Sequence, residues 1–215
     1  MNQQHTERLL KELFSGKSTL RERALLSVAC EDRQGAREVV KVRQDFELLI
    51  QILYSDLGHA SGEMRKNPSS QFWRREAIRI LTATIDGIVF SLKKVTLAIA
   101  GMNKTMLSYD ETEFLRERSL QDENKKVRLP PFRDNLKRLF KLFAKVQGMN
   151  CPTDFGGKGF DDLCQTYELR HRIMHPKSFL TYCVQDAERK RAGNAIDWLA
   201  QELQHLTKSQ GRDMQ

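Results

Sequence analysis

The chain has 215 residues, 40% of them apolar, and its 36 Lys and Arg outweigh 28 Asp and Glu for a net charge of +8. That is enough apolar side chain for one domain with a substantial core, and the basic balance favours an anionic partner such as nucleic acid or an acidic protein. Cys30, Cys151, Cys164 and Cys183 lie far apart with no CxxC pair and no apolar leader before them, so a reduced, cytoplasmic chain is expected rather than a disulfide scaffold.

In chain order, Leu9, Leu10, Leu13 and Phe14 predict a short helix ended by Gly16, and Ser18 or Thr19 caps a second. Together they make an N-terminal helical extension over residues 1–35. Val39, Val42, Phe46, Leu49, Ile50 and Leu53 then form one stripe of a longer helix, expected to end in the glycine- and proline-punctuated run 58–68.

Ser69 or Ser70 caps the longest element, over about 71–100. Its main apolar face is Ile78, Leu81, Ile85, Ile88, Val89, Leu92 and Ile99, and Ile80, Ala83, Phe90 and Ala98 make a second, which predicts a helix at the centre of a bundle. Phe72 and Trp73 read as core anchors. The run 78–99 approaches the length of a bilayer span, but Arg79, Asp86, Lys93 and Lys94 interrupt it. Charges are costly at bilayer depth, so a buried helix is expected and no membrane partner.

A short helix over 109–117 precedes an exposed basic connection, 118–129, that Pro130 and Pro131 close. The helix over 132–147 sets Leu136, Leu139, Phe140 and Phe143 opposite Arg133, Lys137, Lys141 and Lys145. After a loop at 148–159 the last two helices cover about 161–175 and 187–206, and 208–215 is a flexible tail. No run alternates as a half-buried strand does. The expected fold is therefore all-α: an up-and-down helical bundle of four to five core helices over 36–207, with extra N-terminal helices.

The penultimate helix carries the chemistry. With roughly 100° per residue, Leu163, Leu169, Ile173 and Met174 gather on one side. Cys164, Glu168, His171 and His175 gather on the other, flanked by Arg170 and Arg172. Such a strip is by default a solvated face. Histidine, however, suits proton transfer near neutral pH, and arginine suits the charge and shape of a phosphate, a combination that matches phosphodiester cleavage. Pro176 biases His175 out of helical geometry and sets its imidazole at the helix end.

A metal reading rests on Glu168-x-x-His171 and Glu202-x-x-His205, two pieces of a di-iron bundle. On the last helix Ile196, Leu199, Ala200, Leu203 and Leu206 define the buried side, which places Glu202 and His205 opposite it, beside Trp198. The pairs then cannot converge, the arginines disfavour a cation, and no metal is expected. Asp86, in the most apolar stretch, needs a partner if buried. Arg79 would make an ordinary ion pair; an arginine of the penultimate helix would let Asp86 orient the site.

Arg170, four intervening residues and His175, with polar His171 after the arginine and Pro176 after the histidine, resemble the Arg-x4-to-6-His motif of the HEPN superfamily, small helical bundles that include many prokaryotic toxin and antiviral ribonucleases. The resemblance covers about 39–206. It implies a metal-independent endoribonuclease without a cofactor, a homodimer whose two motifs meet in a positively charged cleft, and a 2′,3′-cyclic phosphate product. By position, His175 would shuttle protons and Arg170 would bind the scissile phosphate.

His171 would orient the site or itself transfer the proton, with Glu168, Arg172 and Asp86 in support and Lys177 and Arg79 as RNA contacts. A cognate antitoxin is a candidate partner. Lys177 stands where toxins controlled by a nucleotidyltransferase antitoxin carry a tyrosine, so regulation through that tyrosine is not expected. The basic runs at 125–128 and 189–191 read as phosphate contacts or as solvated segments. A non-catalytic dimeric module that holds RNA or protein is the alternative to the enzyme.

Overall fold

In a computed structural model, residues 33–117 and 131–208 are described. They form α1 (Arg33–Lys66), α2 (Gln71–Met102), α3 (Tyr109–Leu115), α4 (Phe132–Val146), α5 (Lys158–Met174), α6 (Phe179–Tyr182) and α7 (Asp186–Lys208), with no strand among the described residues. The fold class is an all-α helical bundle. The two expected N-terminal helices, the basic connection including 125–128, and most of the tail lie outside the described residues.

These helices serve two compact units. One comprises Leu49–Gly87 and residues 152–208; the other comprises 33–48, 88–117 and 131–151. α1 and α2 each contribute to both.

In the first unit α5 and α7 run along one another. α5 buries Phe160, Leu163, Leu169 and Ile173, and α7 buries Ala195, Ile196, Leu199, Ala200, Leu203 and Leu206, the recurrence at three and four that a helix needs to present one face. Gly159 sets their separation, because a Cβ there would overlap Cβ, Cγ and Cδ1 of Trp198. The Trp198 ring lies 5.4 Å from Phe160, which in turn meets Phe155 edge-on at 5.2 Å. Asp162 is buried and compensated, accepting from Asn194 Nδ2 at 3.1 Å and lying 3.6 Å from Arg191 Nε. A buried carboxylate persists only with such partners.

Three expectations are corrected, on α2 and α5, and one on α1 holds. α1 ends at Lys66, within the run 58–68 as expected, and stays helical through Gly58 and Gly62 because Leu57, Ala60 and Ser61 are buried on it; packing offsets the roughly 1 kcal/mol that a glycine costs a helix. The main face of α2 is buried from Ile78 to Leu92, yet on the second face Ala83 and Phe90 are exposed, and Lys94 Nζ sits 4.3 Å from the Phe90 ring centre. Phe72 is 54% exposed and lies edge-on to Trp73 rather than in the core. Met174 is exposed because the helix ends there. Two buried threonines of α2 bond back within the helix, Thr82 to Ile78 O at 2.9 Å and Thr96 to Leu92 O at 2.6 Å, so their hydroxyls are satisfied without a partner helix.

At the start of α2, the Gln71 carboxamide both accepts from Val184 N–H (2.8 Å) and donates to Val184 O (3.2 Å). Arg74 adds a bond to the same carbonyl at 3.0 Å and an ion pair with Asp186 at 2.9 Å. The turn leading into α7 is thereby tied to α2.

In the second unit α4 buries Leu136, Leu139, Phe140, Leu142 and Phe143. It ends in a Schellman motif, with Met149 N–H on Ala144 O and Gly148 N–H on Lys145 O; Gly148 takes the left-handed φ of 71° that this closure requires. α3 starts with a capping box between Ser108 and Glu111. Glu111 also accepts from Lys145 at 2.8 Å, and that bond first, then the Ser108 N–H, holds its carboxyl below the usual carboxylate range. Lys93 is buried but compensated, 3.3 Å from Glu117 and 4.4 Å from the Phe114 ring centre.

Candidate functional site

Every residue of the sequence-predicted site falls in the first unit. α5 begins after an Asx turn, Gly156 N–H on Asp154 Oδ1 at 2.8 Å, and ends at Met174. His175 is its C-cap, with φ −128° and ψ 65° and its N–H on His171 O at 3.0 Å. Pro176 explains the break, since its ring clashes with a helical conformation of the preceding residue. The helix thus stops one residue earlier than the periodicity predicts, and the His175 side chain leaves from a non-helical position.

Glu168, His171 and His175 are exposed and Cys164 half-buried, on the side of α5 opposite Leu163, Leu169 and Ile173. The imidazoles of His171 and His175 lie 4.9 Å apart between centres, tilted by 54°. Two such rings can exchange or share a proton donor role at one locus.

Arg170 Nη2 lies 3.5 Å from Asp86 Oδ2, with 42% and 48% of the two side chains exposed. Although it lies in the most apolar stretch of α2, Asp86 is half-exposed. Of its two predicted partners the structure selects the arginine of α5. A third residue joins them: Tyr167 donates its hydroxyl to Asp86 Oδ1 at 2.6 Å, and its oxygen lies 3.5 Å from Thr82 O. Burial first, then the Asp86 charge, push the Tyr167 phenol far above its ordinary range, so it stays protonated as a donor.

The remaining residues are engaged elsewhere. Arg79 pairs with Glu76 and donates to Tyr182 OH at 3.4 Å, while Arg75 lies over the Tyr182 ring at 3.9 Å. The Arg79 hydrogen bond first, then the two guanidinium charges, hold the Tyr182 phenol below its ordinary range. Arg172 donates to Glu188 at 2.7 Å and Cys183 O at 3.4 Å, joining the end of α5 to the start of α7. Lys177 is exposed in the turn before α6, which Ser178 and Thr181 cap reciprocally. In the 189–191 run, Arg189 pairs with Asp186 and Arg191 with Asp162.

Sequence reasoning missed Tyr167 and α6. The signal for the first was its i, i+3 spacing to Arg170, which places both on one face of a helix; the signal for the second was Ser178-x-x-Thr181.

Glu202 corrects the facing argument on the last helix. It is buried, at 9% exposure, with Oε1 3.8 Å from His205 Nδ1, whereas His205 is exposed. Among the described residues no group of three or more His, Cys, Asp or Glu could hold a metal ion. Cys151, Cys164 and Cys183 are not in disulfides. No described helix is long and apolar enough to cross a membrane.

No known protein family, curated protein or solved structure matches the chain.

Proposed function

We propose that the chain is a metal-independent endoribonuclease of the HEPN type. The observation that carries this reading is the C-terminal end of α5. There His171 and His175 stand exposed with their rings 4.9 Å apart, and Arg170 is half-exposed and tethered by Asp86. These groups suit cleavage by the substrate's own 2′-hydroxyl.

An imidazole, that of His175 by position, takes the 2′-hydroxyl proton as the 2′-oxygen bonds to phosphorus. The P–O5′ bond breaks, and the leaving 5′-oxygen receives a proton from the protonated imidazole of His175 or His171. Arg170 offsets the charge that builds on the phosphoryl oxygens. The products are a 2′,3′-cyclic phosphate and a 5′-hydroxyl.

The same reading takes RNA as the partner, with a contribution from Lys177, and a toxin–antitoxin or antiviral defence role in the cytoplasm with a cognate antitoxin protein. It also takes a homodimer, supported by Met174, Phe179 and Leu180, which are 51%, 79% and 79% exposed in the chain segment around His175. Solvent-facing apolar side chains clustered in this way mark contact surfaces.

The test is incubation of the purified protein with end-labelled RNA in EDTA. Cyclic-phosphate-ended fragments are expected from the wild type, and none from Arg170→Ala or His175→Ala at equal helix content. A wild type that leaves every RNA intact defeats the reading. A second reading, a non-catalytic dimeric helical module that binds RNA or protein, is favoured by one observation: Arg170 and Arg172 are each already ion-paired within the chain. In that case RNA is bound and not cut.

A further inference from the structure

Asp86 accepts the Tyr167 hydroxyl at 2.6 Å with one carboxylate oxygen and faces the Arg170 guanidinium at 3.5 Å with the other. The three groups differ in how they are held. Tyr167 is on the buried border of α5, and its ring fixes the hydroxyl within reach of the backbone carbonyl of Thr82. Asp86 and Arg170 are both about half-exposed, and a lone ion pair at that exposure scarcely repays the ordering of two flexible side chains. A carboxylate already immobilised by a short charge-assisted hydrogen bond changes that balance, because only the arginine then remains to be ordered.

We infer that Tyr167 is a positioning residue: through Asp86 it holds the Arg170 guanidinium in one orientation, ready for a phosphate oxygen. This rests on the ribonuclease reading for its catalytic consequence, though not for the relay itself. Asp86 engages Nη2 of Arg170, and the planar guanidinium carries five N–H donors in a fixed fork, so fixing one edge aims the others. High phenol acidity would break the relay by placing two anions together; burial prevents it, and Tyr167 remains a donor throughout the range in which imidazoles ordinarily titrate.

The test combines kinetics with a spectroscopic probe of Arg170 in the full-length chain. Tyr167→Phe keeps the ring and removes the hydroxyl. It is expected to lower kcat about tenfold with KM within about twofold, since the loss is of orientation at the transition state. In an Arg170→Lys background the same change is expected to have no further effect. The Arg170 Nε–Hε resonance, resolved in the wild type, is expected to broaden or collapse to the exposed-arginine position. Asp86→Asn, at a half-exposed site, serves if Tyr167→Phe unfolds the chain, and should reproduce both effects.

Equal losses in the wild-type and Arg170→Lys backgrounds, or an Arg170 resonance indifferent to both Tyr167→Phe and Asp86→Asn, overturn the inference. If the wild type cuts no RNA but the resonance responds, the ribonuclease reading fails while the relay stands.

Discussion

The two ends of α5 are held by different forces. Near its start, Gly159 lies where a methyl group would meet the near atoms of Trp198, and Phe160 and Asp162 are buried. Near its end, Arg170, Glu168, His171 and His175 retain contact with water, and Arg170 is held by charge and hydrogen bonding through Asp86. A steric junction tolerates almost no change in size, whereas a solvated polar one tolerates change in stability terms while being sensitive in chemical terms. Fold and proposed activity are therefore separable along a single helix.

The strongest test of that separation is at the exposed end. His175→Ala and Arg170→Ala are each expected to reduce RNA cleavage by about 10²–10⁴, the usual worth of positioned acid–base and charge-stabilising groups. Thermal melting should place both within about 0.5 kcal/mol of the wild type, as surface substitutions are. If either variant unfolds, the two ends are not independent.

Gly159→Ala acts on the other end, and is expected to cost about 1–3 kcal/mol in urea unfolding, the range for forcing atoms into a packed site. The overlap is with Cβ and Cγ of Trp198, which cannot swing aside without moving the whole ring. Gly87→Ala is the control: the nearest atom is the distal Cδ1 of Leu53 at 2.6 Å, which a rotamer change can clear. A stability loss at Gly87 as large as at Gly159 would erase the distinction.

A smaller effect should appear with alkali. The Tyr167 phenol has a raised pKa in the folded chain, so above about pH 10 the unfolded chain releases a proton that the folded chain keeps. Its contribution to stability is full below that pH and is lost as the pH rises further. The difference in unfolding free energy between wild type and Tyr167→Phe should therefore stay flat from about pH 6 to 9 and shift against the wild type above about 10.

The smallest effect is expected from Arg172→Ala. Its pair with Glu188 is part-exposed, 33% and 19% by side chain, and pairs of that kind contribute about 0–1 kcal/mol. Its cleavage rate should also change little, since its guanidinium is turned to α7 and Cys183 O rather than held with Arg170. A loss of cleavage comparable to that of Arg170→Ala would make Arg172 part of the chemistry.

Much of the fold was legible because helix periodicity and terminators are local. Ser108, Pro131 and Gly148 bracket α3 and α4 as their chemistry dictates, and the polar strip of α5 followed from counting residues. The end of α1 within 58–68 was legible from its terminators, but how far the helix enters that run was not, because the burial of Ala60 and Ser61 depends on other parts of the chain. Glu202 was misread because ideal angular arithmetic ignores how far around α7 its neighbours reach. Within the candidate site, Arg170 and His175 could be named from one segment, but the choice between Arg79 and Arg170 as partner of Asp86 depends on which helices meet, and so does the part played by Tyr167.

Gln71 fixes the segment that follows the motif. A carboxamide presents a donor and an acceptor in one plane, as a peptide group does, and so it grips Val184 from both sides as a neighbouring backbone would. The segment between His175 and α7 is thus held at Val184 before it reaches α7, with Arg74 on the same carbonyl. Loop entropy depends only weakly on length, so the clamp adds little to the melting temperature. Glutamate at position 71 would still accept from Val184 N–H but would leave the carbonyl to Arg74, so the junction would then rest on a charged side chain instead of a peptide-like one.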